Sequence, residues 1–90
     1  MKIRYFAMVR DATGKSEEEW NAPAATLGVL VRDLIARYGV NLQKWVMEKG
    51  EMNGLSIILV NGRDARHTGL LETPLKPDDT VVIFPPLAGG

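Results

Sequence analysis

Residues 27–38 carry the one pattern in this chain that fixes how everything else must be arranged. Leu27, Leu30, Val31, Leu34, Ile35 and Tyr38 recur at intervals of three and four, which on a helix gathers them into a single apolar stripe. Thr26 is a good N-cap for that helix, and Gly39 stands where a left-handed terminator is needed. Arg32, Asp33 and Arg37 fall off the stripe. One such helix can cover one face of one sheet. The remaining segments must therefore supply that sheet.

They do so on both sides. Ile3, Tyr5, Ala7 and Val9 alternate with Lys2, Arg4, Phe6 and Met8, a period of two that predicts a strand over 2–9, with a turn at 11–15. Residues 16–21 are expected as a second strand, with Trp20 as its anchor and Glu17–Glu19 polar enough for a sheet edge. After the helix, 41–49 is read as a short second helix and 50–54 as a loop. Residues 56–60 and 80–84 are apolar on both faces, which suits central strands. Asn61-Gly62 is a hairpin dipeptide, 63–71 has room for an edge strand, and Leu75–Asp79 is a turn. The order is two strands, a helix, then two or three strands. That makes a two-layer α+β domain, a ubiquitin-like β-grasp with a mixed sheet of four to five strands on one main helix. Residues 1–84 form the domain, and 85–90 form an extended tail.

A helix on one side leaves the second apolar row of the central strands unaccounted for. Either 41–49 folds across it or Lys and Arg stems cover it. The other reading is a partner-binding patch.

Composition removes several functions. The 90 residues hold no cysteine, which excludes disulfides and thiol catalysis within the chain. Eleven basic and eleven acidic residues cancel, giving no electrostatic footprint for nucleic acid or a membrane surface. No apolar run approaches a membrane span, and the start shows no signal-peptide pattern, so a cytoplasmic protein is expected. His67 is the only histidine and has no partner set for a triad. Consecutive strand residues Glu17–Glu19 point to alternate faces and do not converge on a cation, so no metal or bound cofactor is expected.

Chemistry is left to the tail. Two terminal glycines have a chance frequency of about 0.5 percent, low enough to outweigh a merely frayed end. Pro85-Pro86 stiffen the first step after the last strand, and from Pro86 to Gly90 the arm reaches up to about 17 Å. Gly89 and Gly90 carry no Cβ, so the terminal carboxyl fits a narrow channel. Ionised at neutral pH, that carboxylate is able to attack the α-phosphate of ATP, giving an acyl-adenylate open to a sulfur nucleophile or an amine. The chain has no base, metal site or phosphate loop to do this itself. It must be a substrate and carrier for other enzymes.

Leu59-Val60-Asn61-Gly62-Arg63-Asp64, Leu75–Val81 and Ile83-Phe84-Pro85-Pro86-Leu87-Ala88-Gly89-Gly90 resemble the small subunit of molybdopterin synthase and the wider family of MoaD/ThiS-type ubiquitin-like sulfur carriers. Tyr5-Phe6-Ala7 and Tyr38-Gly39 resemble the same family. The resemblance implies that a ubiquitin-activating-type enzyme, using ATP and magnesium, adenylates Gly90, and that a sulfur donor system converts it to a thiocarboxylate. It implies that Gly89 gives clearance and that Phe84, Pro85, Pro86, Leu87 and Ala88 dock the arm. In the synthase, the large subunit would catalyse sulfur transfer to cyclic pyranopterin monophosphate, this chain being its non-catalytic donor subunit. Residues 40–54 look longer than in the shortest carriers, which leaves cysteine, thiamine or tRNA thiolation open as pathways. A protein modifier forming isopeptides and an interaction module with an idle tail are the other two readings.

Overall fold

The computed structural model describes residues 1–86. A five-stranded mixed sheet runs in the order β2-β1-β7-β5-β6, from β1 (Lys2–Tyr5), β2 (Glu17–Glu19), β5 (Ile57–Val60), β6 (Arg63–Asp64) and β7 (Thr80–Phe84). β1 and β7 are parallel, with Ile3 opposite Val81 and Tyr5 opposite Ile83; the other pairings are antiparallel. The architecture is the expected α+β β-grasp. β2 lies at the edge, and the two strands apolar on both faces have neighbours on either side, as anticipated.

The main helix, α2 (Leu27–Tyr38), has the predicted bounds. Thr26 Oγ1 accepts from the Val29 N–H at 3.3 Å, and Gly39 (φ 79°) closes the far end with its N–H on the Ile35 carbonyl at 2.7 Å. Its stripe lies over Ile3, Tyr5, Ile58, Val60, Val81 and Ile83, and the joint cluster is the core. The turn motifs lock together. Asn61 and Gly62 both take positive φ, as a tight two-residue hairpin turn requires. Asn61 Nδ2 donates to Asp79 at 2.8 Å while its Oδ1 accepts from the Thr80 N–H at 2.9 Å. Asp79 also accepts from the Lys76 N–H at 2.8 Å.

Five expectations need correction. The strand read over 2–9 ends at Tyr5, and residues read as strand and turn form α1 (Ala7–Thr13). Ala7 takes φ 52°, which lifts the chain out of the sheet, and Val9 and Thr13, four apart, turn inward. Gly14 (φ 78°) is the helix terminator, not part of a hairpin turn. The short alternation at Ala7 and Val9 fits a helix as well as a strand, and burial of Val9 decided between them.

Residues 41–49 form α3 (Val40–Val46), which ends early because the chain enters a small hairpin of β3 (Met47–Glu48) and β4 (Glu51–Met52). The loop expected at 50–54 therefore contains a strand. The edge strand sought in 63–71 is only β6; two 3₁₀ turns follow, Ala65–His67, capped by Asp64, and Leu70–Glu72. Finally, α3 packs beside α1 and α2, with Leu42 and Val46 in the core, so it cannot cover the second apolar row. That row stays on the opposite face.

Candidate functional site: the outer sheet face and the base of the tail

Strand alternation sends every second side chain away from the helices. On β5 and β7 these are Ile57, Leu59, Val82 and Phe84, each half-buried, and the antiparallel register sets Ile57 opposite Phe84 and Leu59 opposite Val82. Parallel pairing places Arg4 opposite Val82. The next residue on that face, Phe6, stacks on Phe84 with ring centres 4.6 Å apart and planes 17° from parallel. The Arg4 guanidinium lies 5.5 Å from the centre of the Phe6 ring. The result is an apolar strip across the middle of a sheet, interrupted by no helix.

Its rims are charged. On the β2 side, Lys2 and Arg4 approach Glu17 at 3.8 and 4.0 Å, loose pairs that leave both cations half-exposed. On the β6 side, Asp64 faces outward beside Leu59 and is held by Arg66, whose Nη2 lies 2.6 Å from its Oδ2. That bidentate grip, with the Arg66 N–H, keeps the Asp64 carboxyl below the usual carboxylate range.

Phe84 is the last residue of β7 and Pro85, which follows it, is buried; Pro86 is half-buried. Of the residues singled out in the sequence, the structure thus brings Phe84, Pro85 and Pro86 to one corner of the apolar strip. Leu87, Ala88, Gly89 and Gly90 lie outside the described residues. Sequence reasoning flagged the second apolar row but not Phe6 or Arg4 as its members. Only the β1–β7 pairing brings them there, although the aromatic at alternate spacing from Arg4 was a usable hint.

The inner face carries the other polar feature. Glu18, opposite Ile3, turns inward while Glu17 and Glu19 turn outward, so the three acids do not converge. The Tyr5 and Tyr38 hydroxyls both donate to Glu18 Oε2, and Lys15 Nζ lies 3.6 Å from Oε1. Burial pushes the Glu18 carboxyl up, but the two phenol hydrogen bonds and Lys15 outweigh it and hold the group below its ordinary range. The same burial and the carboxylate push Tyr5 and Tyr38 up. This cluster ties β1, β2 and α2 together and offers no free group for chemistry. His67 is exposed, and Asp79 is consumed by its turn. Among the described residues no three His, Asp or Glu side chains gather to hold a metal. A cavity of about 440 Å³ lies at the opposite pole, lined by Met1, Trp20, Pro23, Leu75 and Pro77. It borders the approach to β7 and not its exit.

Comparison with known proteins agrees with this geometry. The ThiS family matches residues 3–90. Small archaeal modifier protein 3 of Haloferax volcanii is 35% identical over 91 residues, spanning 100% of this chain and 98% of its own. In the crystal structure of the Amycolatopsis orientalis BexX/CysO complex, a chain 29% identical superposes with a TM-score of 0.81, covering 99% of this chain and 98% of that one. A Pyrococcus furiosus structure described as a molybdopterin converting factor, subunit 1, is 31% identical with a TM-score of 0.74, covering 96% and 95%. Among the described residues no helix is long and apolar enough to cross a membrane.

Proposed function

This chain belongs to the ThiS family of ubiquitin-like sulfur carriers and modifiers, and from that premise we propose that it delivers sulfur as a thiocarboxylate on Gly90. The observation that supports this most is the placement of the apolar strip. Phe84, where the domain hands over to the segment ending in Gly89-Gly90, is itself part of an uncovered interface. A partner seated on Leu59, Val82 and Phe84 grips the carrier at the base of its arm, and Leu87 and Ala88 dock beyond it.

The chemistry divides between partners. In a ubiquitin-activating-type enzyme, the Gly90 carboxylate attacks the α-phosphate of ATP, magnesium balancing the phosphate charge, and pyrophosphate leaves. Sulfide from a donor system then attacks the acyl carbon and AMP departs. The carrier contributes an ionised carboxylate, unhindered approach at Gly89 and a fixed handle. Catalysis belongs to the partners, in the cytoplasm.

Three acceptors fit this reading. Resemblance to molybdopterin synthase and the Pyrococcus furiosus neighbour support cyclic pyranopterin monophosphate, handled by a synthase large subunit. The CysO neighbour supports the cysteine pathway that the sequence leaves open. The modifier relative supports a lysine amine and an isopeptide bond. All three require a free Gly90 carboxylate. Removing Gly90 or adding one residue after it moves the reactive carbon by up to about 3.5 Å and should abolish transfer to every acceptor with the circular dichroism spectrum unchanged. Full activity of an unprocessed, extended chain would overturn the reading. Offering the thiocarboxylated carrier each acceptor with its cognate enzyme, and searching lysines for diglycine remnants, assigns the pathway.

A further inference from the structure

Phe6 is held on both sides of its backbone. Its N–H donates to the Ile83 carbonyl of β7 at 3.2 Å, and its own carbonyl accepts from the Val9 and Arg10 N–H groups at 3.1 and 3.4 Å, at the start of α1. Ala7 takes the positive φ that lets the chain leave the sheet there, so Phe6, one residue past β1 and still extended, is the N-cap of α1. The backbone that carries the Phe6 ring is thus held at both its N–H and its carbonyl. The ring resting on that of Phe6 belongs to Phe84, with centres 4.6 Å apart in a nearly parallel stack.

Phe84 is followed by Pro85 and Pro86, and that order transmits its placement. A residue before proline is confined to extended ψ, and proline fixes its own φ near −65°. Phe84 therefore has its ψ restricted by Pro85, and Pro85 has its φ set by its ring and its ψ restricted by Pro86. Once Phe84 is fixed, few torsions remain with which the chain can change direction through Pro86. Burial of Pro85 removes more of that freedom.

We infer that Phe6 is a positioning residue for the reactive arm, its ring fixing Phe84 and thereby the direction in which the chain leaves the sheet. The inference rests on the carrier reading for its functional consequence, but its structural half stands without it. Phe6 has a second candidate role as an ordinary apolar contact for a partner, since it lies on the strip. The two roles separate. A docking contact acts on how tightly the partner binds, whereas an aiming clamp acts on how well the bound carboxylate meets ATP, where a displacement of about 1 Å costs about a hundredfold.

The test compares Phe6→Leu, which keeps apolar bulk but removes the stack, with Phe6→Tyr, which keeps the stack. In the free carrier, the Phe84 ring proton shifts and the Phe84 amide order parameter are measured by NMR. In parallel, ATP–pyrophosphate exchange by an activating enzyme gives kcat and KM. Phe6→Tyr, which keeps the stack, is expected to keep the Phe84 ring shifts and order parameter of the parent. Phe6→Leu is expected to lose the ring-current shift at Phe84, lower its order parameter, and drop kcat about tenfold with KM within about twofold. A folded Phe6→Leu carrier with unchanged kcat, or with only KM raised, overturns the inference, as does an unchanged Phe84 signal. Should the parent chain show no exchange with an enzyme active on its own carrier, the carrier reading fails, and the Phe84 signal alone decides whether the clamp exists.

Discussion

Along the central strands β5 and β7 the two faces of the sheet are built from equally apolar residues and have opposite fates. On the inner face Ile3, Ile58, Val81 and Ile83 are at most 1% exposed, sealed beneath α1, α2 and α3. On the outer face Ile57, Leu59, Val82 and Phe84 alternate with them along the same strands and remain half-exposed. Folding needs the first set, because the helix stripe has nothing else to cover. It does not need the second, since a solvated antiparallel face is ordinarily polar. Apolar residues retained where folding does not require them mark a surface meant to be covered by another molecule.

Truncating one side chain on each face should separate their roles. Ile83→Ala should destabilise the domain by about 2–5 kcal/mol, read by chemical denaturation, because it opens a cavity under α2. The inner polar cluster comes next. Glu18→Ala leaves the Tyr5 and Tyr38 hydroxyls without their acceptor and should cost about 1–3 kcal/mol. Because the folded state lowers the Glu18 pKa, its contribution is present above the unfolded value of about 4.3 and is lost as pH falls through the folded one. Tyr5 and Tyr38 are raised, so their contribution is full below about pH 10 and is lost as pH rises beyond it. Thermal midpoints across pH should therefore fall at both extremes, and Glu18→Gln should flatten the acid limb. An unaltered acid limb would remove Glu18 from the account.

The outer face should behave differently. Leu59→Ala is expected to cost about 1 kcal/mol or less in stability while weakening an activating partner's binding at least about tenfold, measured by calorimetry. Equal losses of stability on the two faces would erase the distinction. The smallest effect expected is at the helix that seals the inner face, where Thr26→Ala removes the cap on the Val29 N–H. It should cost about 0.5–1 kcal/mol without touching partner affinity.

How much of this could be read beforehand follows from what each element depends on. α2 was legible because cap, stripe and terminator agree within 27–39, and the Asn61-Gly62 turn because its chemistry is local. α1 was not, since Ala7 and Val9 satisfy both periods over so short a stretch and the choice is made by packing of Val9 and Thr13. The hairpin at Met47–Met52 has no alternation to betray it. At the site, the prolines could be named from their position before the tail, and Phe84 from the family resemblance. Phe6 and Arg4 could not, because parallel pairing between the two ends of the chain is what sets them beside Phe84 and Val82. Register between distant strands is a tertiary fact, and the outer apolar strip is made of it.

The central claim, that this domain exists to present the Gly90 carboxyl for activation, is met most directly by intact mass. The purified chain is incubated with an activating enzyme, ATP, magnesium and sulfide, and its C-terminal peptide is fragmented. One oxygen should be replaced by one sulfur, localised to Gly90. An unchanged mass, under conditions in which the same enzyme converts its own carrier, would contradict it.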